Sequence, residues 1–270
     1  MTNLLLLSAH PPSPLQTVSL AGLENYGVRW LVKRDDLLAW PGAPLFCGNK
    51  WRKMKYNLLE AERLGCNRLV TMGGAYSNHI AAVAAAGVAF GFDTLGIIRG
   101  EAVYPLNTTL QYAVDSDMEL RFISRERFRL LRERGPLPER PGDYPIPEGG
   151  TNTLAMPGCR ELGEELYRQL DDPDHTTVAL ACGTGGTLAG RVTGLQGVPC
   201  LGIPVLKGNF MTKTVQAYHQ AFFDRQWPNW HTIDGFHCGG YAKTNIALLS
   251  FMSDFFAQTG IELDTVYIGK

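Results

Sequence analysis

Two patterns of hydrophobic positions alternate along the chain. Short runs that are apolar or alternate with polar residues predict strands, and longer stretches with apolar residues every three or four positions predict helices. The predicted strands are residues 30–33, 68–72, 94–98, 120–123, 177–181, 200–205 and 265–268, and the predicted helices include residues 78–90, 108–114, 159–170, 213–223 and 244–258. Alternation of strands and helices is typical of an α/β fold with parallel sheets.

The segment 135–150 interrupts this alternation with five prolines. Proline has no backbone N–H and disfavours helix at the preceding residue, so the segment is predicted to be irregular. We interpret it as the crossing between two lobes. The working architecture is therefore a pair of α/β lobes.

Composition limits the classes of function. The chain has 270 residues, is 45% hydrophobic and 19% charged, and carries a net charge of -1, so neither nucleic acid nor an anionic membrane is expected as a partner. The six cysteines lack the paired spacing of a zinc site or a disulfide framework. The opening leucines have no basic leader, and the longest apolar run is too short to span a bilayer. We expect a soluble, cytoplasmic protein without a metal.

Lys50 stands at the start of a predicted helix that ends near Gly65. A cation at this end opposes the helix dipole, so the lysine tends to lose its proton and to attack carbonyl groups. The competing interpretation is a solvated lysine beside Lys53 and Lys55. On this stretch alone the solvated lysine is favoured.

The loop 183–187, with the sequence Gly-Thr-Gly-Gly-Thr, lies between a predicted strand and a helix. Its backbone N–H groups and threonine hydroxyls suit a phosphate group. Leu188 occupies the position where a dinucleotide fingerprint requires its third glycine, and the lysine of a P-loop is missing. The loop therefore predicts a small phosphorylated ligand, with an ordinary strand–helix turn as the alternative.

Two further glycine junctions precede predicted helices, at residues 73–79 and 237–243. Ser77 suits a helix N-cap, and the same helix end suits a ligand carboxylate. Ser77 and His79 are two positions apart and do not face each other on a helix, so a serine–histidine nucleophile pair is not expected. Tyr241 is either a buried phenol or a group that handles protons.

Six short motifs follow one another in a specific order, although each alone is weak. They are Arg34-Asp35-Asp36, Gly48-Asn49-Lys50 with Arg52-Lys53, Gly73-Gly74 with Ser77-Asn78-His79, Pro147-Glu148-Gly149-Gly150, Gly183-Thr184-Gly185-Gly186-Thr187, and Val266-Tyr267 with Gly269-Lys270. The series resembles the fold-type II pyridoxal-phosphate enzymes of the 1-aminocyclopropane-1-carboxylate (ACC) deaminase and D-cysteine desulfhydrase family. The resemblance covers nearly the whole chain.

The resemblance implies a two-lobed fold like that of the tryptophan synthase β subunit, with parallel open sheets flanked by helices. It implies a large cofactor-binding domain at residues 1–50 and 146–270 and a small domain at residues 51–145. The family's C-terminal helix and strand are expected to be absent from the sequence, which ends at Lys270. A homodimer is expected by resemblance as well.

The resemblance also implies roles for individual residues. Lys50 is expected to join the cofactor aldehyde covalently, and Asn78 to contact the 3-hydroxyl of the pyridine ring. The expected catalytic residues are Lys50, Ser77, Tyr241 and Tyr267, and the expected substrate-carboxylate site is Ser77, Asn78 and His79. The expected cofactor site is Lys50, Asn49, Lys53, Asn78, Gly183, Thr184, Gly185, Gly186 and Thr187.

By resemblance the chain is expected to be a lyase or deaminase that converts D-cysteine to pyruvate, ammonia and sulfide. The family's ACC deaminases carry a glutamate directly after the tyrosine that matches Tyr267, aimed at the pyridine nitrogen. This chain has Ile268 there, which cannot hydrogen-bond and counts against ACC deaminase, although the desulfhydrases usually have threonine. ACC deaminase and a non-catalytic or degenerate cofactor-binding protein are the alternatives. A sugar-phosphate or nucleotide binder would leave Lys50 unexplained.

Overall fold

The computed structural model describes residues 3–270 and divides the chain into two compact units. The first unit combines the segment that ends at Pro12 with Asp35–Cys159. The second unit combines Ser13–Arg34 with Arg160–Lys270. Each unit is therefore built from two separate stretches of the sequence.

Within residues 3–270 the chain forms strands, α-helices and short 3-10 helices. The strands are β1 (Leu15–Val18), β2 (Trp30–Lys33), β3 (Ala39–Trp40), β4 (Ala43–Cys47), β5 (Arg68–Gly73), β6 (Asp93–Arg99), β7 (Glu119–Ile123), β8 (Asp143–Pro145), β9 (Val178–Cys182), β10 (Cys200–Pro204) and β11 (Trp230–Thr232). The α-helices are α1 (Gly48–Arg63), α2 (Asn78–Phe90), α3 (Thr108–Asp115), α4 (Arg125–Arg134), α5 (Ala155–Gln169), α6 (Gly186–Gly194), α7 (Met211–Phe223) and α8 (Ile246–Thr259). The 3-10 helices are Asn3–Ser8, Glu24–Tyr26, Asp35–Leu37, Glu148–Gly150 and Pro173–His175.

The first unit is organised around a four-stranded parallel sheet with the order β7-β6-β5-β8. Strand β5 lies inside this sheet, and all six of its residues are buried. Val70 pairs with Leu95 on one side and with Pro145 on the other. Strands of a parallel sheet are covered on both faces, which explains the apolar run in β5. Because the strands are parallel, the carboxyl ends of β5 and β6 lie at the same edge of the sheet.

Helix α2 packs closely in the first unit because its side chains are small. Ten of its thirteen residues are buried, and half of those ten are alanines. A Cβ atom at Gly87 would lie 2.5 Å from Cγ2 of Thr94 in β6, so only glycine permits this approach. The packing fixes the start of α2 just after the carboxyl end of β5.

The second unit contains a three-stranded parallel sheet with the order β11-β10-β9 and an antiparallel pair formed by β1 and β2. Helices α5 and α6 cross in close contact through two glycines. A Cβ atom at Gly163 would lie 2.2 Å from the carbonyl oxygen of Arg191, and one at Gly194 would lie 2.3 Å from that of Arg160. The crossing holds α6, which follows directly on the loop after β9.

The parallel α/β architecture predicted from the sequence is confirmed. Helix α2 has the predicted bounds, because the Ser77 side chain caps its start and Gly91, with φ of 76°, ends it. Helix α1 begins at Gly48, so Lys50 does lie in its first turn.

The predicted strand at residues 265–268 is wrong, because this segment forms a turn. The Asp264 carboxylate accepts hydrogen bonds from the backbone N–H groups of Val266, Tyr267 and Ile268, at 2.9, 2.7 and 3.2 Å. These N–H groups are therefore not available to a neighbouring strand. Aspartate competes with regular structure in this way through its short side chain.

The proline-rich segment 135–150 contains a strand that was not predicted. Residues 143–145 form β8, which pairs with β5 in the sheet of the first unit. Pro145 lacks an N–H group, and β8 accommodates it because it is a short edge strand. The segment thus completes a sheet of the first unit.

The boundaries of the compact units differ from those of the predicted domains. The predicted large domain was 1–50 with 146–270, and the predicted small domain was 51–145. Residues 35–50 belong to the first unit because Phe46 packs against Phe90 of α2, with 5.6 Å between the ring centroids. Residues 1–2 of the predicted large domain lie outside the described residues. The assignment of cofactor and substrate roles to the domains stays a prediction.

None of the helices in residues 3–270 has both the length and the hydrophobicity needed to cross a bilayer. The same residues contain no group of three or more histidine, cysteine, aspartate or glutamate side chains that could hold a metal ion.

Candidate functional site

The sequence folds locally so that Lys50 lies at the positive end of α1. The residue before the helix, Cys47, is extended and makes no side-chain cap. Gly48 starts the helix with φ of 55°, and a Cβ atom there would lie 3.2 Å from the carbonyl oxygen of Asp35. Lys50 is half-buried, and the neighbouring Asn49 is exposed. The aligned peptide dipoles at this end disfavour a positive charge on the Lys50 amine.

An ion pair holds α1 in place. The Arg52 guanidinium donates to both carboxylate oxygens of Asp35, at 2.8 and 3.2 Å. Two parallel hydrogen bonds of this kind fix orientation as well as distance. On the opposite side, a Cβ atom at Gly158 would lie 1.9 Å from the Arg52 carbonyl oxygen, so α5 begins in direct contact with α1. The first turns of α1 are therefore a rigid platform for Lys50.

Lys53 is a buried lysine one turn after Lys50. Its Nζ donates to the Gly149 carbonyl oxygen and, at 2.6 Å, to the Thr151 hydroxyl oxygen. Burial, and next the positive charge of Lys50, lower the pKa of Lys53 to about 7, against a smaller opposite effect of Cys159. The predicted contact of Lys53 with the cofactor stays a prediction, and two of its three ammonium donors already have acceptors.

Ser77 and Asn78 lie where β5 turns into α2. The Ser77 hydroxyl accepts a hydrogen bond from the Ile80 backbone N–H at 3.4 Å, as predicted for an N-cap. A Cβ atom at Gly73 would lie 2.9 Å from the Ser77 hydroxyl oxygen, so glycine is required beneath it. Ser77 is buried, whereas the Asn78 side chain is exposed at the mouth of the helix. The arrangement leaves Asn78 accessible to a ligand.

His79 points into the core of the first unit and is only 1% exposed. The Thr71 hydroxyl donates its single hydrogen to the Ile146 carbonyl oxygen at 2.9 Å, so it accepts from His79 Nε2, also at 2.9 Å. This leaves Nδ1 as a buried acceptor without a hydrogen-bond partner among the described residues. Burial, and next the charges of Lys50 and Lys53, hold the pKa of His79 well below its usual value, so its ring is neutral. Its predicted role in binding the substrate carboxylate stays a prediction.

The turn at residues 148–151 connects the two buried side chains. Lys53 binds the carbonyl of Gly149, and a Cβ atom at Gly150 would lie 3.0 Å from Cε1 of His79. Both glycines have positive φ, 67° and 69°, which L side chains adopt only with strain. Sequence reasoning missed Thr71 and Thr151. The adjacent glycines Gly149 and Gly150 were the sequence signal that the backbone passes close to other groups here.

The predicted phosphate loop lies between β9 and α6 in the second unit. Gly185, with φ of 80°, is the residue before α6, and as a glycine it makes no side-chain cap on the helix. A Cβ atom at Gly185 would lie 2.9 Å from Sδ of Met211 and 3.1 Å from Cγ2 of Val215, both in α7. Thr184 and Thr187 are half-buried beside these N–H groups. The backbone N–H groups at the start of α6, two hydroxyls and a positive helix end make a donor set that fits a phosphate group.

Two tyrosines lie next to this loop. A Cβ atom at Gly183 would lie 3.0 Å from Cε1 of Tyr267, so the ring packs directly on the loop. The Tyr241 ring meets the Tyr267 ring edge to face, with 6.5 Å between centroids. The turn capped by Asp264 holds Tyr267, while Ile268 is 59% exposed. Sequence reasoning had missed Asp264, because its role depends on the turn.

The donors in each unit fit a part of the cofactor that the resemblance implies. The first unit offers a lysine amine whose charge is disfavoured, and the second offers a cradle for an anion. The roles expected for Asn49, Asn78 and the loop residues toward the cofactor stay predictions.

Comparisons with known proteins agree with this chemistry. A family model described as pyridoxal-phosphate dependent enzyme matches residues 6–254. A putative ACC deaminase of Thermotoga maritima is 30% identical over 276 residues, which cover 96% of this chain and 86% of that protein. A bifunctional D-cysteine desulfhydrase/ACC deaminase of Arabidopsis thaliana, described as mitochondrial, is 29% identical over 295 residues, which cover 97% and 70%.

A solved structure described as an ACC deaminase homologue superposes on 99% of this chain and 86% of its own, with a TM-score of 0.77 and 25% identity. Both kinds of similarity extend over nearly the whole sequence, so they do not depend on one motif. The chain belongs to the family of pyridoxal-phosphate-dependent enzymes.

Proposed function

We propose that the chain is a lyase that converts D-cysteine and water to pyruvate, ammonia and hydrogen sulfide. The observation that carries the proposal is Lys50, a half-buried lysine at an uncapped helix start with a second lysine buried one turn away. An amine in this setting is a nucleophile and a base near neutral pH. The name of the Arabidopsis relative, which includes D-cysteine desulfhydrase, supports the substrate class.

Pyridoxal phosphate, when bound, supplies an aldehyde that condenses with amines and a ring that withdraws electrons from the α-carbon of an amino acid. In this proposal Lys50 holds the cofactor between turnovers, and its uncharged amine accepts the α-proton of the substrate. Its position in the first turn of α1 favours the uncharged form. The Arg52–Asp35 pair holds the part of α1 from which the Lys50 side chain extends.

Ser77, Asn78 and the backbone N–H groups at the start of α2 are proposed to hold the substrate carboxylate. A helix N-terminus suits this role because its N–H groups and dipole favour an anion. His79 is proposed to support this carboxylate site from the protein core, because its neutral, buried ring fixes the first turn of α2 against Thr71.

The loop 183–187 is proposed to bind the cofactor phosphate through its backbone N–H groups and the hydroxyls of Thr184 and Thr187. Asn49 and Lys53 are proposed to contribute from α1, and Asn78 to bind the 3-hydroxyl. Tyr241 and Tyr267 are proposed to supply the proton that the leaving sulfur requires.

ACC deaminase is the second candidate, because the names of both relatives include that activity. Lys50 would have no α-proton to remove from ACC, so ring opening would need Ser77 or a tyrosine. Ile268 counts against this activity, since a hydrocarbon side chain cannot stabilise a charged pyridine nitrogen. We therefore rank D-cysteine first.

A homodimer in the cytoplasm is also proposed. Helix α8 exposes large apolar side chains, among them Ile246 at 86% and Phe256 at 54%, and a second copy of the chain would cover them. All six cysteines are free, which fits a reducing compartment. Sedimentation at several protein concentrations tests the dimer, and a concentration-independent monomer would contradict it.

The activity test supplies wild type with pyridoxal phosphate and offers D-cysteine and ACC separately. We expect pyruvate and sulfide from D-cysteine, and no product from the Lys50→Ala variant. Lys213→Ala, which removes an exposed lysine of α7, is the matched control and should match wild type. 2-Oxobutanoate from ACC alone would favour the deaminase. Bound cofactor with no product from either substrate would favour a non-catalytic binding protein.

A further inference from the structure

The junction that carries Tyr241 has an unfavourable backbone conformation. Four of the five residues 238–242 have positive φ, among them Cys238 with 49° and Ala242 with 54°. A residue with a side chain adopts this conformation only where neighbouring groups fix it. The hydroxyl oxygen of Tyr241 is buried, so the junction is held in place despite its strain.

The side chain of Lys270 reaches this junction from the turn that carries Tyr267. Its Nζ donates to the Gly240 carbonyl oxygen at 2.7 Å and to the His237 carbonyl oxygen at 3.2 Å. The same two carbonyls accept from the backbone N–H groups of Lys243 and Gly240, at 3.2 and 2.9 Å. One amine therefore ties together two consecutive backbone turns, and Tyr241 lies inside the second of them.

The backbone of Lys270 is itself fixed by the turn capped by Asp264. The Gly269 N–H donates to the Asp264 carbonyl oxygen at 2.9 Å, and the Lys270 N–H donates to that of Tyr267 at 3.2 Å. A Cβ atom at Gly269 would lie 2.8 Å from Sδ of Met252, so the turn packs closely on α8. The lysine amine is thus presented to the junction from an anchored segment.

We propose that Lys270 is a positioning residue that clamps the junction 237–243 and so holds the phenol of Tyr241 beside the ring of Tyr267. This role rests on the proposed function, in which the two tyrosines supply the proton that the leaving sulfur requires. Lys270 acts through the backbone of the junction and does not need to touch the substrate or the cofactor.

The clamp depends on N–H donors and not on a charge. Burial lowers the pKa of Lys270, against smaller opposite effects of Cys238 and Asp264. An uncharged amine still has two N–H donors, one for each carbonyl of the junction. Both protonation states of Lys270 therefore satisfy the two acceptors.

The position of Tyr241 can be measured without cofactor or activity. Tetranitromethane nitrates tyrosine rings that solvent reaches, and peptide mass spectrometry of the cofactor-depleted full chain gives the rate at Tyr241 relative to exposed Tyr26. Lys270→Met keeps an unbranched side chain of similar length and removes the donors. We expect nitration of Tyr241 to be roughly fivefold faster in this variant, the factor that corresponds to one lost hydrogen bond.

Lys243→Met is the matched control, because it removes an exposed lysine side chain from the same junction. Its rate of nitration at Tyr241 should equal that of wild type. Lys270→Gln, whose shorter side chain retains N–H donors, should give a smaller increase than Lys270→Met and replaces it as the test variant if Lys270→Met does not fold.

Two leaving groups show whether the clamp serves proton supply in the loaded enzyme. The sulfur of D-cysteine leaves with the electron pair of the C–S bond and takes up a proton, whereas chloride leaves β-chloro-D-alanine as a stable anion and needs none. We expect Lys270→Met to lower kcat for D-cysteine about tenfold and to leave kcat for β-chloro-D-alanine within about twofold. Lys270→Arg, which keeps donors for the carbonyls, should restore most of the activity with D-cysteine.

Wild-type nitration of Tyr241 in folded Lys270→Met would overturn this role of Lys270 and leave the proposed function intact. An equal loss of kcat with both substrates would also overturn it, because a merely structural lysine would act in this way. Wild type that releases no pyruvate from either substrate would instead overturn the proposed function. The nitration comparison would then still measure the hold of Lys270 on Tyr241.

Discussion

Replacing Gly185 by alanine is expected to weaken the binding of pyridoxal phosphate. Gly185 has φ of 80°, a conformation that costs an L residue about 1–2 kcal/mol. The added methyl group would also lie 2.9 Å from Met211 Sδ and 3.1 Å from Val215 Cγ2. The methionine can turn aside, but the branched valine is stiff, so the loop backbone has to shift.

The shift misaligns the N–H groups at the start of α6 that are proposed to hold the phosphate. A hydrogen bond to a charged group contributes about 1.5–3 kcal/mol, and each 1.4 kcal/mol is a factor of ten in affinity. Loss of one such bond therefore raises the Kd for the cofactor about 10- to 150-fold. Equilibrium titration with pyridoxal phosphate, followed by visible absorbance, measures this change.

Gly197→Ala is the matched control. Gly197 also has a positive φ, 100°, and a Cβ atom there would meet nothing within 4 Å. This variant has the same kind of backbone strain in the second unit without a steric shift of the phosphate loop, so its Kd should stay within about twofold of wild type. Equal Kd values for Gly185→Ala and Gly197→Ala would refute the reasoning, because strain in general would then explain the effect.

Two further predictions concern stability in the first unit. Gly150→Ala should lower the free energy of unfolding, measured by urea denaturation, by about 2 kcal/mol more than the control Gly65→Ala. Both glycines have φ near 68°, but only Gly150 lies against His79. Equal losses of stability in the two variants would contradict the importance of this contact. Asp143 accepts two hydrogen bonds from the Arg68 guanidinium, which hold the pKa of its carboxyl well below the usual range. Asp143→Asn should therefore cost about 2 kcal/mol at pH 7. The difference from wild type should shrink progressively as the pH falls below about 4, because the stability that a depressed carboxyl pKa provides is lost between its unfolded value and its lower native value; a constant difference down to pH 2 would contradict this account.

Local signals in the sequence were sufficient for the elements that begin the candidate site. Ser77 and Gly91 delimit α2 through capping, which depends only on neighbouring residues. Lys50 stood out as a lysine at a helix start, where a positive charge is unfavourable, but its expected role came from the family resemblance. The glycines of the loop 183–187 likewise indicate a backbone conformation that other residues avoid.

Features that depend on distant partners were missed or predicted wrongly. The burial of Lys53 follows from acceptors about one hundred positions later, Gly149 and Thr151, which no helical pattern reveals. The inward orientation of His79 depends on Thr71, because nearly every side of α2 is buried and the pattern does not favour one face. The segment 265–268 has a strand-like composition, yet the Asp264 side chain takes its N–H groups.

A covalent bond between Lys50 and the cofactor is the centre of the proposed chemistry. Reduction of the loaded protein with borohydride, followed by digestion and peptide mass spectrometry, shows which lysine carries the cofactor. We expect the mass of the reduced cofactor on the peptide that contains Lys50, and no labelled peptide in Lys50→Ala. Label on another lysine, or cofactor that washes away completely after reduction, would contradict the central claim.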